Sequence, residues 1–335
     1  MGVNIKELVN FEEISWEQLE GKIIGVDASL TLYQFLTSIR QRDGTPLMDK
    51  QGNITSHLVG LFSRVTALME KGLKLCFVFD GKPPELKSEQ NRLRKERKEE
   101  AKGKFEQAKE KGEEKEMLKY ARQVTYLTSD MVEEAKELIS ALGLPVIQAP
   151  SEAEAQCAYM CKKKLVWAVS SQDFDTLIFG SPRMVRNLTI SVKKKTSSGV
   201  YVPYLPEVVE LSSVLNELGL DRDQLIILAI LIGTDYNPKG VLGIGPKKAL
   251  DLVQSGKKFE EIFKDLEVDF DWKEIFDTIK NMPVKGVELE WKEMDVGKLR
   301  EILIERHDFS QDRFDNAIKK LVKENNPQKG LNDWI

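Results

Sequence analysis

Histidine and cysteine are scarce in this chain. In 335 residues there are two histidines, His57 and His307, and three cysteines, Cys76, Cys157 and Cys161. That number and spacing exclude a disulfide framework, a cysteine-rich zinc site and a histidine-based one. Cys76 lies inside an apolar run and reads as core, while Cys157 and Cys161 share a helix face and read as packing. No apolar stretch reaches 18 residues, and the start Met1-Gly2-Val3-Asn4-Ile5 carries no signal-peptide pattern. A soluble intracellular protein is expected, with no membrane partner. No Ser-His-Asp or Cys-His pattern is evident, so a side-chain nucleophile has no candidate. The net charge is −4, so no global basic field advertises a nucleic-acid partner.

Core material and charge are both plentiful. Hydrophobic residues make up 41% of the chain, enough for a large core, and charged residues 31%. The latter exceeds the roughly 25% average and suggests long solvated helices. Short apolar runs bounded by turn residues, at Lys22–Val26, Leu73–Phe79, Pro145–Ala149, Leu165–Val169 and Met184–Leu188, read as buried strands. Helical periods fall at about 29–40, 55–72, 129–142 and 152–163, and the nearly all-apolar 223–232 reads as a helix buried on every side. Strands alternating with helices predict an α/β fold with a central, mostly parallel sheet covered by helices on both faces.

Four of these strands end in acids: Asp27, Asp80, the pair Glu152 and Glu154, and the pair Asp173 and Asp175. In an open α/β sheet, ligands collect outside the carboxyl ends of the strands. Six carboxylates gathered there could not all stay ionised without cations. Each acid has an ordinary alternative: Asp27 as a helix N-cap, Asp80-Gly81 as a turn, Ser151 to Glu154 as a capping box, Asp173 and Asp175 as turn formers. Recurrence after strand upon strand favours a shared purpose. Asp235, after the buried helix, also needs a partner. Hard oxygen donors without His or Cys select Mg²⁺, with Mn²⁺ as a substitute. Two such ions bridged by carboxylates are the usual apparatus for phosphodiester hydrolysis.

Cationic and glycine-rich segments complement the acids. Residues 85–119 hold 12 Lys or Arg, 10 Asp or Glu and only five of Leu, Met and Phe, with Gly103 and Gly112 breaking the run. Such a segment has no apolar face to pack and is expected to form a charged helical arch. Its alternative is a solvated helix laced with i,i+4 ion pairs, or disorder. Lys87 and Arg94, seven apart, share one helical face at its foot, as phosphate clamps or as partners of Glu89 or Glu99. Tyr33 is either core or a base-stacking platform. In Gly240-Val-Leu-Gly243-Ile-Gly245-Pro246-Lys247-Lys248 the pattern is that of a helix–hairpin–helix DNA-binding module. There glycines permit close approach to phosphate, and the next helix start binds it without reading sequence.

VDAS at 26–29, FVFDGKPP at 77–84, APSEAEAQ at 149–156, SSQDFDTLIFG at 170–180, IGTDY at 232–236 and GIGPKKAL at 243–250 together resemble the flap endonuclease family of structure-specific 5′ nucleases. The resemblance runs nearly end to end. It implies removal of 5′ flaps in replication and base-excision repair, with 5′–3′ exonuclease activity and two Mg²⁺ per active site. It also implies metal ligation by Asp27, Asp80, Glu152, Glu154, Asp173, Asp175 and Asp235, and catalytic phosphate contact by Lys87 and Arg94. DNA contact is implied for Gly2, Tyr33, Gly243, Gly245, Lys247 and Lys248, on 5′-flap and nicked junctions. Gln328, Leu331, Trp334 and Ile335 resemble the family's sliding-clamp (PCNA) motif, with Ile335 departing from the usual final aromatic. Eukaryotic relatives continue past that motif with a basic tail, so the chain looks archaeal, a monomer of cytoplasm or nucleoid. The organisation expected is an N-terminal nuclease region over 1–98, the arch at 99–117 and an internal nuclease region with the hairpin module over 118–258. C-terminal helices over 259–325 and the tail at 326–335 complete it. A clamp-bound junction scaffold, or a nuclease cutting bubbles or RNA, are the alternatives.

Overall fold

The computed structural model describes residues 3–41, 44–87, 127–188, 193–195, 199, 201–203 and 205–325, with isolated positions between 92 and 116. Its strands are β1 (Glu12–Glu13), β2 (Ile23–Asp27), β3 (Lys74–Phe79), β4 (Val146–Gln148), β5 (Ala168–Ser170), β6 (Arg183–Arg186), β7 (Lys193–Lys195), β8 (Tyr201–Pro203) and β9 (Glu207–Glu210). Seven form one sheet in the order β1-β9-β6-β5-β2-β3-β4, and β7 and β8 form a separate antiparallel pair. From β6 to β4 every pairing is parallel, and β9 joins β6 antiparallel. The chain leaves β2 toward β3 and β4, then returns to lay β5 on its other side. The resulting switch point puts the carboxyl ends of β2, β3 and β5 around one crevice.

Why the strands read as unbroken apolar runs is visible in β3. Leu75, Phe77 and Phe79 face one helical layer while Cys76 and Val78 face the other, and all five are buried. A strand covered on both faces keeps no polar side. The first layer contains helices Ala28–Ser38, Ser56–Met69, Ser129–Ala141 and Gln311–Asn325, packed through Leu32, Phe62, Leu138 and Phe314. The opposite side carries helix Ala153–Lys162, packed through Cys157 and Met160. Next to it stands helix Arg222–Ile232, with Leu225 through Leu231 fully buried at its centre.

Two expectations shift. The run Leu165–Val169 becomes strand only from Ala168, because its beginning closes the preceding helix. Lys164 turns at φ +60°, and the Leu165 amide returns to the Met160 carbonyl at 2.9 Å. The edge strand β1 and its neighbour β9 had no sequence signal, being only two and four residues long. Across β6 and β9, Arg183 faces Glu210 and Arg186 faces Glu207, and both opposed pairs form ion pairs.

Candidate metal centre and nucleic-acid interface

All seven predicted carboxylates flank the same crevice. Asp27 ends β2 and caps the following helix, its Oδ1 accepting the Leu30 amide at 2.9 Å. Capping and site membership are therefore compatible rather than rival. Asp80 follows β3, and its Oδ1 accepts from the Ala153 amide at 2.9 Å, capping a helix 73 residues away. The capping box that was the alternative for Ser151 to Glu154 does not form. The Ser151 hydroxyl donates to the Lys82 carbonyl, and Glu154 instead accepts from Ser171 Oγ at 2.8 Å and Thr176 Oγ1 at 3.0 Å. Gly81 permits this arrangement: a Cβ there would lie 2.2 Å from the Ala149 carbonyl oxygen. Only glycine lets the turn after β3 press so closely on the loop after β4.

Asp173 and Asp175 follow β5, and Asp175 Oδ1 accepts from the Val3 amide at 2.7 Å. Asp235 follows the buried helix, on a turn tied by Asn237. The Asn237 side chain accepts from the Thr234 amide and hydroxyl and donates to the Ile230 carbonyl at 2.7 Å. Lys87 supplies the partner that Asp235 needs. Its ammonium stands 2.7 Å from Glu152 Oε1 and 3.1 Å from Asp235 Oδ2. The Tyr236 hydroxyl is buried in the same cleft and makes no hydrogen bond of ordinary geometry; burial, then Glu152, push its pKa up.

The electrostatics show an uncompensated cluster. Burial, then Asp80 and Asp173, push Asp27 up to about 8 despite the Leu30 amide and Lys87. Burial, then the neighbouring Asp235 and Asp173, push Asp175 up to about 7. Burial, then Asp175, Asp27 and Asp173, push Glu154 well above the usual carboxylate range. For Lys87, burial would lower the ammonium, but Glu152 and Asp235 outweigh it and push the group up. Among the described residues, one ammonium among seven carboxylates leaves a negative excess. Among the described residues no three His, Cys, Asp or Glu side chains already converge as a ready coordination shell. The donor set is nevertheless all hard oxygen, crowded and short of positive charge, which fits divalent cations of the Mg²⁺ type.

The hairpin is formed as its glycines foretold. Gly240 turns at φ +55°, where a Cβ would lie 2.2 Å from the Ile232 carbonyl oxygen, and Gly243 turns at φ +78°. Gly245 is the N-cap and Pro246 the first residue of helix Pro246–Gln254. Leu242 at the tip is fully exposed, and Lys247 and Lys248 are exposed on the first turn. Tyr33 lies on the Ala28–Ser38 helix, 38% exposed. Gly2, Arg94, Gln328, Leu331, Trp334 and Ile335 lie outside the described residues, as does most of the predicted arch. An i,i+4 ion pair of the expected kind joins Arg92 and Glu96 within it.

Sequence reasoning on the residues alone missed the Val3 amide, Ser171, Thr176 and Asn237. Their only signal was adjacency to the acids; the contacts they make are tertiary.

The chain matches the family model of the XPG N-terminal domain over residues 3–101 and that of the XPG I-region over residues 143–235. Flap endonuclease 1 of Staphylothermus marinus is 49% identical, with all of both chains aligned. Flap endonuclease 1 of Pyrococcus furiosus is 47% identical over all of this chain and 99% of its own. Among solved structures, flap endonuclease-1 from Methanococcus jannaschii superposes with a TM-score of 0.76 at 42% identity, covering 96% of this chain and 98% of that one. The catalytic core of Rad2 in complex with DNA substrate gives 0.69 at 27% identity, covering 96% and 100%.

Proposed function

The chain belongs to the flap endonuclease family and is a structure-specific 5′-flap endonuclease; from that premise we propose that its seven carboxylates bind two Mg²⁺ ions and hydrolyse the phosphodiester at the base of the flap. One observation carries the reading. Asp27, Glu154 and Asp175 are driven toward their neutral forms by burial and by the carboxylates around them, and among the described residues the ammonium of Lys87 is the cation paired with the cluster. Divalent ions would relieve that repulsion, lower the pKa of an attacking water and steady charge on the phosphate.

The protein's own part is positioning. Ser171 and Thr176 hold Glu154, the Val3 amide holds Asp175, and the Ala153 amide holds Asp80. Each bond occupies one lone pair and leaves the rest of the carboxylate for a ligand. Lys87 is assigned to the scissile phosphate: its ammonium already lies in the cleft on a flexible stem. Arg94 is assigned beside it. The 240–248 hairpin, with Lys247 and Lys248, grips duplex DNA through its backbone, and Gly2 and Tyr33 meet the junction. Mn²⁺ substitutes for Mg²⁺ as another hard octahedral cation.

The biological setting proposed is 5′-flap removal in replication and base-excision repair, by a monomer in the cytoplasm or nucleoid. Among the described residues no helix is long and apolar enough to cross a membrane. Gln328, Leu331, Trp334 and Ile335 are assigned to a sliding clamp, since three apolar side chains in a short charged tail are useful only against another surface. The non-catalytic scaffold alternative falls with the family assignment.

A 5′-flap substrate incubated with the protein in Mg²⁺, in Mn²⁺ and in EDTA tests the reading. Cleavage at the flap base is expected with either metal and none in EDTA. Cleavage that persists in EDTA removes the metal assignment.

A further inference from the structure

Asp235 and Tyr236 sit side by side on the turn that follows helix Arg222–Ile232. Thr234 and Asn237 fix that turn: the Thr234 hydroxyl donates to Asn237 Oδ1 at 2.7 Å and accepts from the Tyr236 amide at 3.1 Å. The Tyr236 ring packs against the apolar cluster around the buried helix, so the phenol enters the cleft from a rigid base. Its hydroxyl is cut off from solvent and, among the described residues, has no hydrogen-bond partner of ordinary geometry. A buried donor left in that state is costly. The cavity around it measures about 10 Å³ and is lined by Glu152, Asp175 and Asp235, with Val3 and Thr234. Such a space is about the least that holds one water, so the hydroxyl has carboxylates rather than solvent for neighbours. Of these, Glu152 acts on it most strongly, ahead of Asp175 and Asp235.

Glu152 is also the acid with a donor to gain. Asp27, Asp80 and Asp175 are each held by a backbone amide, and Glu154 by two hydroxyls. Those neutral donors stay in place whatever enters the crevice. Glu152 stands at the N-cap of helix Ala153–Lys162, yet its side chain caps nothing; its carboxylate is met by the Lys87 ammonium, 2.7 Å from Oε1. That ammonium is shared with Asp235 and is assigned above to the scissile phosphate. When Lys87 turns to phosphate, Glu152 loses the donor that orients it unless another stands ready.

We propose, resting on the two-metal reading above, that Tyr236 is a positioning residue of the metal centre. Its O–H closes a hydrogen bond onto Glu152 and keeps that carboxylate aimed at metal when Lys87 turns to phosphate. A phenol suits the task because it brings a proton without a charge. A second ammonium would compete with the metal ions for the crevice. A neutral donor occupies one lone pair of Glu152 and leaves the rest for a ligand. Because Tyr236 and Asp235 share one turn, the element that carries one acid also sets the aim of another.

The test is direct Mn²⁺ binding to the full chain without DNA, read by electron paramagnetic resonance. Wild type, Tyr236→Phe, Glu152→Gln and the double variant are compared. Tyr236→Phe removes the hydroxyl and keeps the ring, so the packing on the helix is retained. Its Mn²⁺ dissociation constant should rise about tenfold, the lower end of the usual effect of losing a ligand's hydrogen-bond partner, since Lys87 still holds Glu152 when no DNA is bound. In the Glu152→Gln background the same change should add nothing, because the carboxylate it acts through is gone. Single-turnover flap cleavage by Tyr236→Phe at saturating Mg²⁺ should fall roughly ten- to hundredfold, because Lys87 is then engaged elsewhere. Wild-type Mn²⁺ affinity in Tyr236→Phe, an equal loss in both backgrounds, or an unchanged cleavage rate overturns the role of Tyr236 and leaves the two-metal reading standing. Failure of wild type itself to bind Mn²⁺ removes that reading, and the role of Tyr236 with it.

Discussion

The backbone amide of Val3 donates to Asp175 Oδ1 at 2.7 Å, across 172 positions of chain. The N-terminal segment therefore completes the acidic crevice, with Val3 and Ile5 buried against the elements that carry Asp175 and Asp235. Val3→Pro removes the N–H, whereas Val3→Ala keeps it and trims only the side chain. A hydrogen bond to a charged group contributes about 1.5–3 kcal/mol. Flap cleavage should thus fall roughly ten- to hundredfold further in Val3→Pro than in Val3→Ala, as read by single-turnover kinetics. Equal rates in the two variants would leave the amide without a role.

Asp80→Ala and Asp175→Ala should each abolish flap cleavage while junction binding largely survives. The carboxylates address metal, whereas the phosphate contacts are assigned to the hairpin and arch. Gel-shift affinity and cleavage rate, measured on the same preparation, separate the two effects. Near wild-type cleavage in Mg²⁺ by either variant would break the two-metal assignment.

Lys247→Ala combined with Lys248→Ala should weaken binding to duplex DNA of any sequence and flatten its salt dependence. Without the two ammonium groups, binding displaces fewer counterions from the duplex. The slope of log K against log salt should therefore become shallower by about 2. Both side chains are exposed, so the fold should be indifferent to the change. An effect that depends on base sequence would reassign the hairpin from backbone grip to base recognition.

Acid should loosen the side of the molecule where both histidines sit. His307 bridges Asp49 and Glu134 at 3.0 Å each. His57 is fully buried with neither ring nitrogen bonded, and burial, then His307, pull it down from 6.5 to about 4. Because the folded ring resists protonation, the unfolded chain binds more protons between those values, and stability falls as pH drops through that window. Burial alone would raise Asp49, but His307, Asn53 and Gln51 hold it down to about 2. Its contribution is present above the ordinary carboxylate range and disappears as pH falls toward 2. Between about pH 7 and about pH 4.5, guanidinium unfolding should show wild type losing roughly 2–3 kcal/mol more than His57→Leu. An equal decrease in both would mean that His57 titrates normally.

How far the site could be read without coordinates differs from residue to residue. The acids at 27, 80, 152, 154, 173 and 175 were legible because a strand's apolar run and the polar residue ending it are adjacent in sequence. The hairpin was legible for the same reason: its glycines and Pro246 act on their own backbone torsions. The capping-box alternative at Ser151 rested on the same local logic and is not realised. Ser151 was drawn to the Lys82 carbonyl and Glu154 to Ser171 and Thr176, partners supplied by other elements.

Everything legible in the chain alone was local. Alternating strands and helices, an oxygen-only donor set, and motifs dense enough to mark the family all lie in short windows of sequence. The pairings belong to the tertiary structure. Lys87 met Glu152 and Asp235 rather than a neighbour on its own helix, Asp80 capped a distant helix, and Lys162 and Arg222 came to share one carbonyl. Contacts between residues tens of positions apart leave no period in the chain. They exist because the sheet order brings loop ends together, and because buried charge must then find whatever partner that order supplies.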